Sequence, residues 1–431
     1  MLDYHYPLHE AVLPNGLRVI VSEDATSPAV AVNLWYRVGS GDETRATSGF
    51  AHLFEHLMFS GTDAIAAGEH LSAIEEVGGH VNATTSADRT NYFEMVPPHA
   101  FEFALWLEAQ RMENLAVTQF NLDTQREVVK EEKRQRYDNV PYGDELALLL
   151  ALAYPEEHPY AQPTIGRMET LDTASLDMVQ EFYDTWYRPE LATLVVCGNV
   201  DVDSAFALVE KHFGGISKPP ATSPGLHRDG TIEPLAGIPR LNVTRDVPLS
   251  DLTLCWRAPA AETPDDLALD IAGAVLGAGQ SGRLYRRLVL DTEIAESVSV
   301  APFGFVRGTS LATIGARPRK TSDMERLEEM ILEEVAALAE VGPTAAELER
   351  VLVNVERELF TELATVDHRA DVINRYATLF SDPDLINRDL ERVRSVTPDD
   401  VAESLRRWMT ADKRSVLEYR AANDEVEVET A

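Results

Sequence analysis

Apolar residues alternate with polar ones over residues 16–22 and 29–38, which predicts two strands, and over 82–96, which predicts a strand pair. Between them Leu53, Phe54, Leu57 and Met58 fall on one side of a helical repeat, with Thr47 or Ser48 placed to cap its start and Gly61 to end it in a left-handed turn. Residues 100–112 and 176–186 read as helices and 192–198 as a strand. The second half repeats the plan, with strands over 240–256, helices over 265–276 and 284–290, strand over 297–314, and long acidic helices over 322–340 and 345–364. It closes on a helix over 398–409 and a strand over 414–419, matching 176–186 and 192–198 in type and order. This predicts an internal duplication: an α+β fold of two homologous α/β-layered domains, 1–216 and 239–431, joined by a Pro-, Ser- and Gly-rich linker over 217–238.

Length agrees, since 431 residues exceed what one core ordinarily serves. No apolar run approaches 18 residues, and the start of the chain lacks the basic and apolar regions of a signal peptide, so a cytoplasmic protein without a membrane span is expected. A periplasmic or secreted origin holds if an N-terminal signal has been removed. Cys197 and Cys255 sit in apolar strand-like runs without metal-ligand spacing, which reads as reduced core cysteine. The net charge of −34 argues against nucleic acid as a partner. Part of it lies in residues 423–431, which read as a frayed acidic tail.

Candidate chemistry starts at residues 52–56. His52, Glu55 and His56 spell H-x-x-E-H, and on a helix the two histidines, four apart, lie on one face and offer two imidazole nitrogens to one metal ion. Glu55 beside them is placed to take a proton from the attacking water. A third ligand is available in Glu132, 76 positions after His56, in a helical stretch whose Val128 and Val129 are expected to pack inward. Two imidazoles and one carboxylate leave a fourth tetrahedral position open, the mark of a catalytic rather than a structural zinc site. The bland alternative is two buried histidines beside an ion-paired glutamate.

With these residues the chain resembles the pitrilysin/insulinase family of inverted-motif zinc peptidases, and within it the short-chain branch that includes the mitochondrial processing peptidase beta subunit. The likeness extends from Pro14-Asn15-Gly16-Leu17 through Gly78, Gly79, Asn82, Ala83, Thr84, Asp88, Thr90 and Tyr92 to His158-Pro159-Tyr160, Tyr187-Arg188-Pro189 and Gly198-Asn199-Val200. It implies one Zn2+ per chain held by His52, His56 and Glu132, Glu55 as general base, and two domains enclosing a cleft. Asn82-Ala83-Thr84 is short and polar, suited to an edge that binds an extended peptide through its main chain. A preference for basic peptides follows if the cleft shares the overall acidity.

Two positions depart from the family pattern. Gln125 stands seven residues before Glu132, where many relatives carry a glutamate near the metal ligands. Val289 and Glu296 stand where relatives active as single chains carry an arginine and a tyrosine that clamp the substrate. The resemblance therefore implies a zinc metalloendopeptidase subunit that cleaves peptides or unfolded segments through a zinc-activated water, in a heterodimer with a related chain supplying the Arg/Tyr clamp. A homodimer suffices if Arg283, Arg286 or Arg287 substitutes. The alternative reading is a structural or assembly subunit resembling respiratory-complex core proteins, with a metal site and no turnover.

Overall fold

The computed structural model describes residues 4–217 and 229–422. Residues 218–228 of the expected linker, and the acidic tail over 423–431, lie outside the described residues. Two compact units interleave the chain: one takes Met1–Lys133, Gln162–Arg228 and Glu358–Leu390, the other Arg134–Ala161, Asp229–Arg357 and Glu391–Ala431. The bounds 1–216 and 239–431 thus separate the strands of the two units, while residues 134–161 and 358–390 fold with the unit opposite to their half of the chain.

In the first unit β1 (His9–Val12), β2 (Arg18–Glu23), β3 (Val30–Tyr36), β4 (His80–Thr85), β5 (Thr90–Val96) and β6 (Ala192–Gly198) form one sheet in the order β1-β2-β6-β3-β5-β4. Only β2 and β6 run parallel. β3 and β6 are buried along their whole length because both faces of the sheet are covered, so both carry near-continuous apolar runs. On one face Ala31, Val195 and Cys197 pack against Ala370, Ile373 and Ala377 of the helix Val366–Phe380. On the other, Tyr36 meets Tyr187 at 4.8 Å between ring centroids, and Tyr187 meets Phe54 of the helix Phe50–Leu57 at 4.9 Å. β4 is left as an edge.

The second unit holds β7 (Arg240–Arg245), β8 (Asp251–Ala258), β9 (Ala295–Phe303), β10 (Ser310–Pro318) and β11 (Arg414–Ala421), ordered β7-β11-β8-β10-β9 with β7 and β11 parallel. This matches β2-β6-β3-β5-β4 strand for strand, as an internal duplication requires. Leu254, Trp256, Ile271, Val275, Leu327, Ile331, Val401 and Leu405 belong to its core. The strand expected over 297–314 is in fact two strands, β9 and β10, paired antiparallel. The helix expected over 284–290 is a wider, π-type turn, Tyr285–Asp291. Cys197 and Cys255 are both buried and free. Among the described residues no helix is long and apolar enough to cross a membrane.

Candidate metal centre and substrate edge

The motif helix Phe50–Leu57 buries Phe50, Leu53, Phe54 and Leu57 and turns His52, Glu55 and His56 to its other side. Its start differs from the expectation for Thr47 or Ser48: no side chain of a neighbouring residue caps it, and Gly49 at the N-cap adopts φ 91°. A side chain at Gly49 is disfavoured by that left-handed backbone and would bring its Cβ to 3.1 Å from the Ile165 carbonyl oxygen, while one on the facing Gly166 would lie 2.3 Å from the Gly49 Cα. The cap comes from Glu43, whose two carboxyl oxygens accept from the backbone N–H of Gly49 at 2.7 Å and of Ala51 at 2.8 Å. Burial pushes the Glu43 carboxyl up to about 8, against the opposing effect of those two hydrogen bonds.

Glu132 arrives on the helix Gln119–Lys133, which Arg126 ties to the carbonyls of Leu171 and Ala174 at 2.7 and 2.8 Å. Asn121 anchors its first turn on the carbonyls of Ser60 and Ala116, at 3.2 and 2.7 Å. Val129 packs inward as expected, but Val128 does not: it is 45% exposed. Successive helical residues point about 100° apart, so a helix lying on one narrow contact buries Val129 with Leu122 and leaves Val128 on its flank.

The two helices bring the expected ligands together. Glu132 Oε2 lies 3.2 Å from His56 Nε2 and 3.6 Å from His52 Nε2, and one donor atom from each of the three residues falls within 4.8 Å of the others. The imidazole rings stand nearly perpendicular, at 82° with centroids 5.0 Å apart. Two imidazole nitrogens and a carboxylate oxygen, converging from two helices at this spacing, suit a divalent cation of the zinc type. Beside them Glu55 Oε2 accepts a hydrogen bond from the Thr85 hydroxyl at 2.6 Å. Thr85 is a participant that the pattern of the motif alone does not disclose. Gln125 is half-buried on the Glu132 helix.

Asn82, Ala83, Thr84 and Thr85 lie on the edge strand β4. The Ser86 N–H to Arg89 carbonyl bond, 2.8 Å, closes the β4–β5 hairpin, and Thr84 pairs with Asn91. By the alternation of an antiparallel ladder, Thr84 then directs its backbone groups toward β5 while Ala83 and Thr85 direct theirs to the open edge.

A second cluster of ligand-type side chains, His70, Glu94 and Glu108, is fully buried in the same unit. Here Arg111 fills the cationic role: its Nε donates to Glu108 Oε2 at 2.8 Å, and its guanidinium stacks on Tyr92 at 4.2 Å. His70 Nε2 lies 2.9 Å from Glu94 Oε1, and burial, then Arg111, push its pKa down to about 3. This arrangement reads as a structural ion network.

At the expected clamp positions, Val289 packs half-buried against the second unit's core, and Glu296 stands on β9 with Arg319 at 3.7 Å. Arg283 is paired with Glu347, and Arg287 with Glu333 and Glu334, whereas Arg286 is exposed with no ion pair among the described residues.

A duplicated α+β fold whose motif helix sets H-x-x-E-H against a distant glutamate defines an inverted-motif metallopeptidase. Residues 18–165 match the insulinase (peptidase family M16) profile, and residues 173–354 the profile of the peptidase M16 inactive domain. The chain is 30% identical over 396 residues to zinc protease PqqE of Helicobacter pylori, covering 90% of this chain and 85% of that protein. It is 30% identical over 395 residues to an uncharacterized zinc protease of Mycobacterium tuberculosis, covering 90% and 88%. The crystal structure of a protease from Helicobacter pylori superposes with a TM-score of 0.91 at 26% identity, covering 97% of this chain and 100% of that one. The periplasmic protease PqqL of Escherichia coli shares the fold with a TM-score of 0.79 at 19% identity, over all of this chain and 49% of its own. The chain belongs to the insulinase family, the M16 zinc proteases.

Proposed function

We propose that this chain is a zinc metalloendopeptidase subunit acting on peptides or unfolded polypeptide segments. The observation that carries the reading is the convergence of His52, His56 and Glu132 within 4.8 Å, with the Glu55 carboxylate fixed beside them by Thr85. His52, His56 and Glu132 hold one zinc ion, which supplies a Lewis acid that activates water and polarises a carbonyl. Glu55 accepts the proton released as water attacks and returns it to the departing amine. Thr85 offers its backbone N–H and C=O and Ala83 its C=O to an extended peptide, the Ala83 N–H being taken by Asn82 Oδ1 at 2.9 Å. Such strand pairing orients the scissile bond and reads backbone more than side chains. If the substrate edge shares the acidity of the net charge of −34, basic peptides are preferred, a preference that added salt weakens.

The substrate clamp comes from a related partner chain. Val289 cannot donate charge-assisted hydrogen bonds, and Glu296 presents a negative charge. A plant relative, 26% identical over 337 residues, is named as a probable mitochondrial-processing peptidase subunit beta, which supports a subunit role. The test is cleavage of an unfolded polypeptide by wild type and Glu55→Gln, each alone and mixed with a related chain carrying the arginine and tyrosine. Hydrolysis lost only in Glu55→Gln supports the reading. Zinc binding with no turnover in any combination would favour an assembly subunit instead.

A further inference from the structure

The side chains around Thr84 form a hydrogen-bonded chain that reaches the edge strand from a helix far away in sequence. Asp371, on the helix Val366–Phe380, accepts three side-chain N–H groups on one oxygen, Oδ1: Asn33 Nδ2 at 3.2 Å, Trp35 Nε1 at 3.2 Å and Asn91 Nδ2 at 2.9 Å. Asn91 then uses its amide oxygen to accept from Thr84, from the backbone N–H at 3.1 Å and the hydroxyl at 2.6 Å. Arg89 closes the other side of the same residue, donating from Nη1 to the Thr84 carbonyl at 2.9 Å and to its hydroxyl oxygen at 2.6 Å while its guanidinium lies 4.8 Å over the Trp35 ring. Thr84 is therefore held at its N–H, its carbonyl and its hydroxyl. Its two neighbours, Ala83 and Thr85, are the residues whose backbone groups face the open edge, with the Ala83 N–H donating to Asn82 Oδ1 at 2.9 Å.

Asp371 is not the only anchor of its helix. Asn374, one turn on, is fully buried and donates to the carbonyls of Asn33 and Thr193 at 2.9 and 3.1 Å, and Ala370, Ile373 and Ala377 bury the apolar face. What Asp371 adds is the link outward, across β3 and β5 to β4. Edge strands lack a second neighbour and bend or slip unless something fixes them, and a peptide binds more tightly to an edge that is already straight.

We propose that Asp371, acting through Asn91, is a positioning residue for substrate: it fixes β4 at Thr84 so that Ala83 and Thr85 present a preformed edge to an extended peptide. This rests on the strand-pairing reading above and deepens it.

The experiment measures anisotropy of a fluorescein-labelled ten-residue peptide bound to the full zinc-loaded chain in the Glu55→Gln background, which prevents cleavage. A second copy of the peptide carries N-methyl groups at alternate residues, so that it cannot donate to the edge. The chain with native Asp371 should bind the unmodified peptide at least about tenfold more tightly than the methylated one, the order expected for one or two backbone hydrogen bonds. Asp371→Ala and Asn91→Ala should each remove most of that difference with zinc content unchanged, and the double variant should do no more than either single one, because both act in one chain of bonds. Asp371→Asn should restore the difference, since it keeps the Oδ1 acceptor; it also serves as the folded comparison if the alanine variants lose stability.

Equal binding of both peptides to the chain with native Asp371 would overturn strand pairing itself and the proposal with it. Discrimination that survives in Asp371→Ala and Asn91→Ala would overturn the role of Asp371 alone. A parallel loss of affinity for both peptides would also overturn it, showing a merely structural contribution.

Discussion

Thr85 donates its hydroxyl to Glu55 Oε2 at 2.6 Å, which ties the candidate general base on the motif helix to the strand proposed to receive the substrate. A base and a substrate edge joined by one hydrogen bond keep their spacing as either moves, and misplacement of about 1 Å at such a site costs on the order of a hundredfold in rate.

Thr85→Val keeps the shape of the side chain and removes the donor. In the active assembly it should lower kcat about ten- to a hundredfold, leave zinc content unchanged, and be rescued by Thr85→Ser. Steady-state kinetics with metal analysis check this, and an unchanged kcat would show that Glu55 is positioned by other means.

Glu43 gives a pH dependence of stability with a definite sign. Its carboxyl, at about 8 in the folded chain against 4.5 ordinarily, keeps a proton that the unfolded chain has released across that interval. The folded state binds more protons there, so this group's contribution is fully present below about pH 4.5 and is lost as pH rises through about 8. The midpoint of urea unfolding of wild type, relative to Glu43→Gln, should fall between pH 5 and 8 by the equivalent of about 1 to 4 kcal/mol. A difference that grows with pH would mean that the two backbone hydrogen bonds hold Glu43 ionised.

The buried network gives a contrast between the two ligand-type clusters. Arg111→Met leaves Glu108 buried without its guanidinium, which should destabilise the chain by about 3 to 5 kcal/mol while zinc stoichiometry stays the same. Denaturant unfolding and metal analysis on the same sample separate the two effects. A change in zinc content would place metal at His70, Glu94 and Glu108.

What the sequence revealed, and what it did not, follows from the range of each interaction. His52 and His56 were legible because helix geometry alone puts residues four apart on one face, and Glu132 because a zinc site of catalytic type wants a third ligand. The duplicated sheets were legible from matching strand and helix order. The cap on the motif helix was misread because Glu43, outside the helix, displaces the local candidates Thr47 and Ser48. Val128 and Val129 could not be told apart without the neighbour that buries only one of them. Asp371 reaches Asn91 across 280 positions, and no local periodicity records that contact. The same limit hides the placement of residues 134–161 and 358–390 in the opposite units.

The clamp positions bear on whether the chain works alone. With Val289 half-buried against the core and Glu296 a carboxyl side chain beside Arg319, purified chain should hydrolyse peptides at least about a hundredfold more slowly than after mixing with a related chain that carries the arginine and tyrosine. Mutating either residue of that partner should abolish the gain. Full activity of the lone chain would assign the clamp to this chain's own arginines, with Arg286 the first to test.

The most direct test of the account is metal analysis of four variants set beside their peptidase activity. Wild type and Glu55→Gln should each carry one zinc per chain, with hydrolysis in the active assembly lost only in Glu55→Gln, while His52→Ala, His56→Ala and Glu132→Ala should lose both zinc and activity. Undiminished zinc in His56→Ala, or zinc lost from Glu55→Gln, would contradict the assignment of ligands and base.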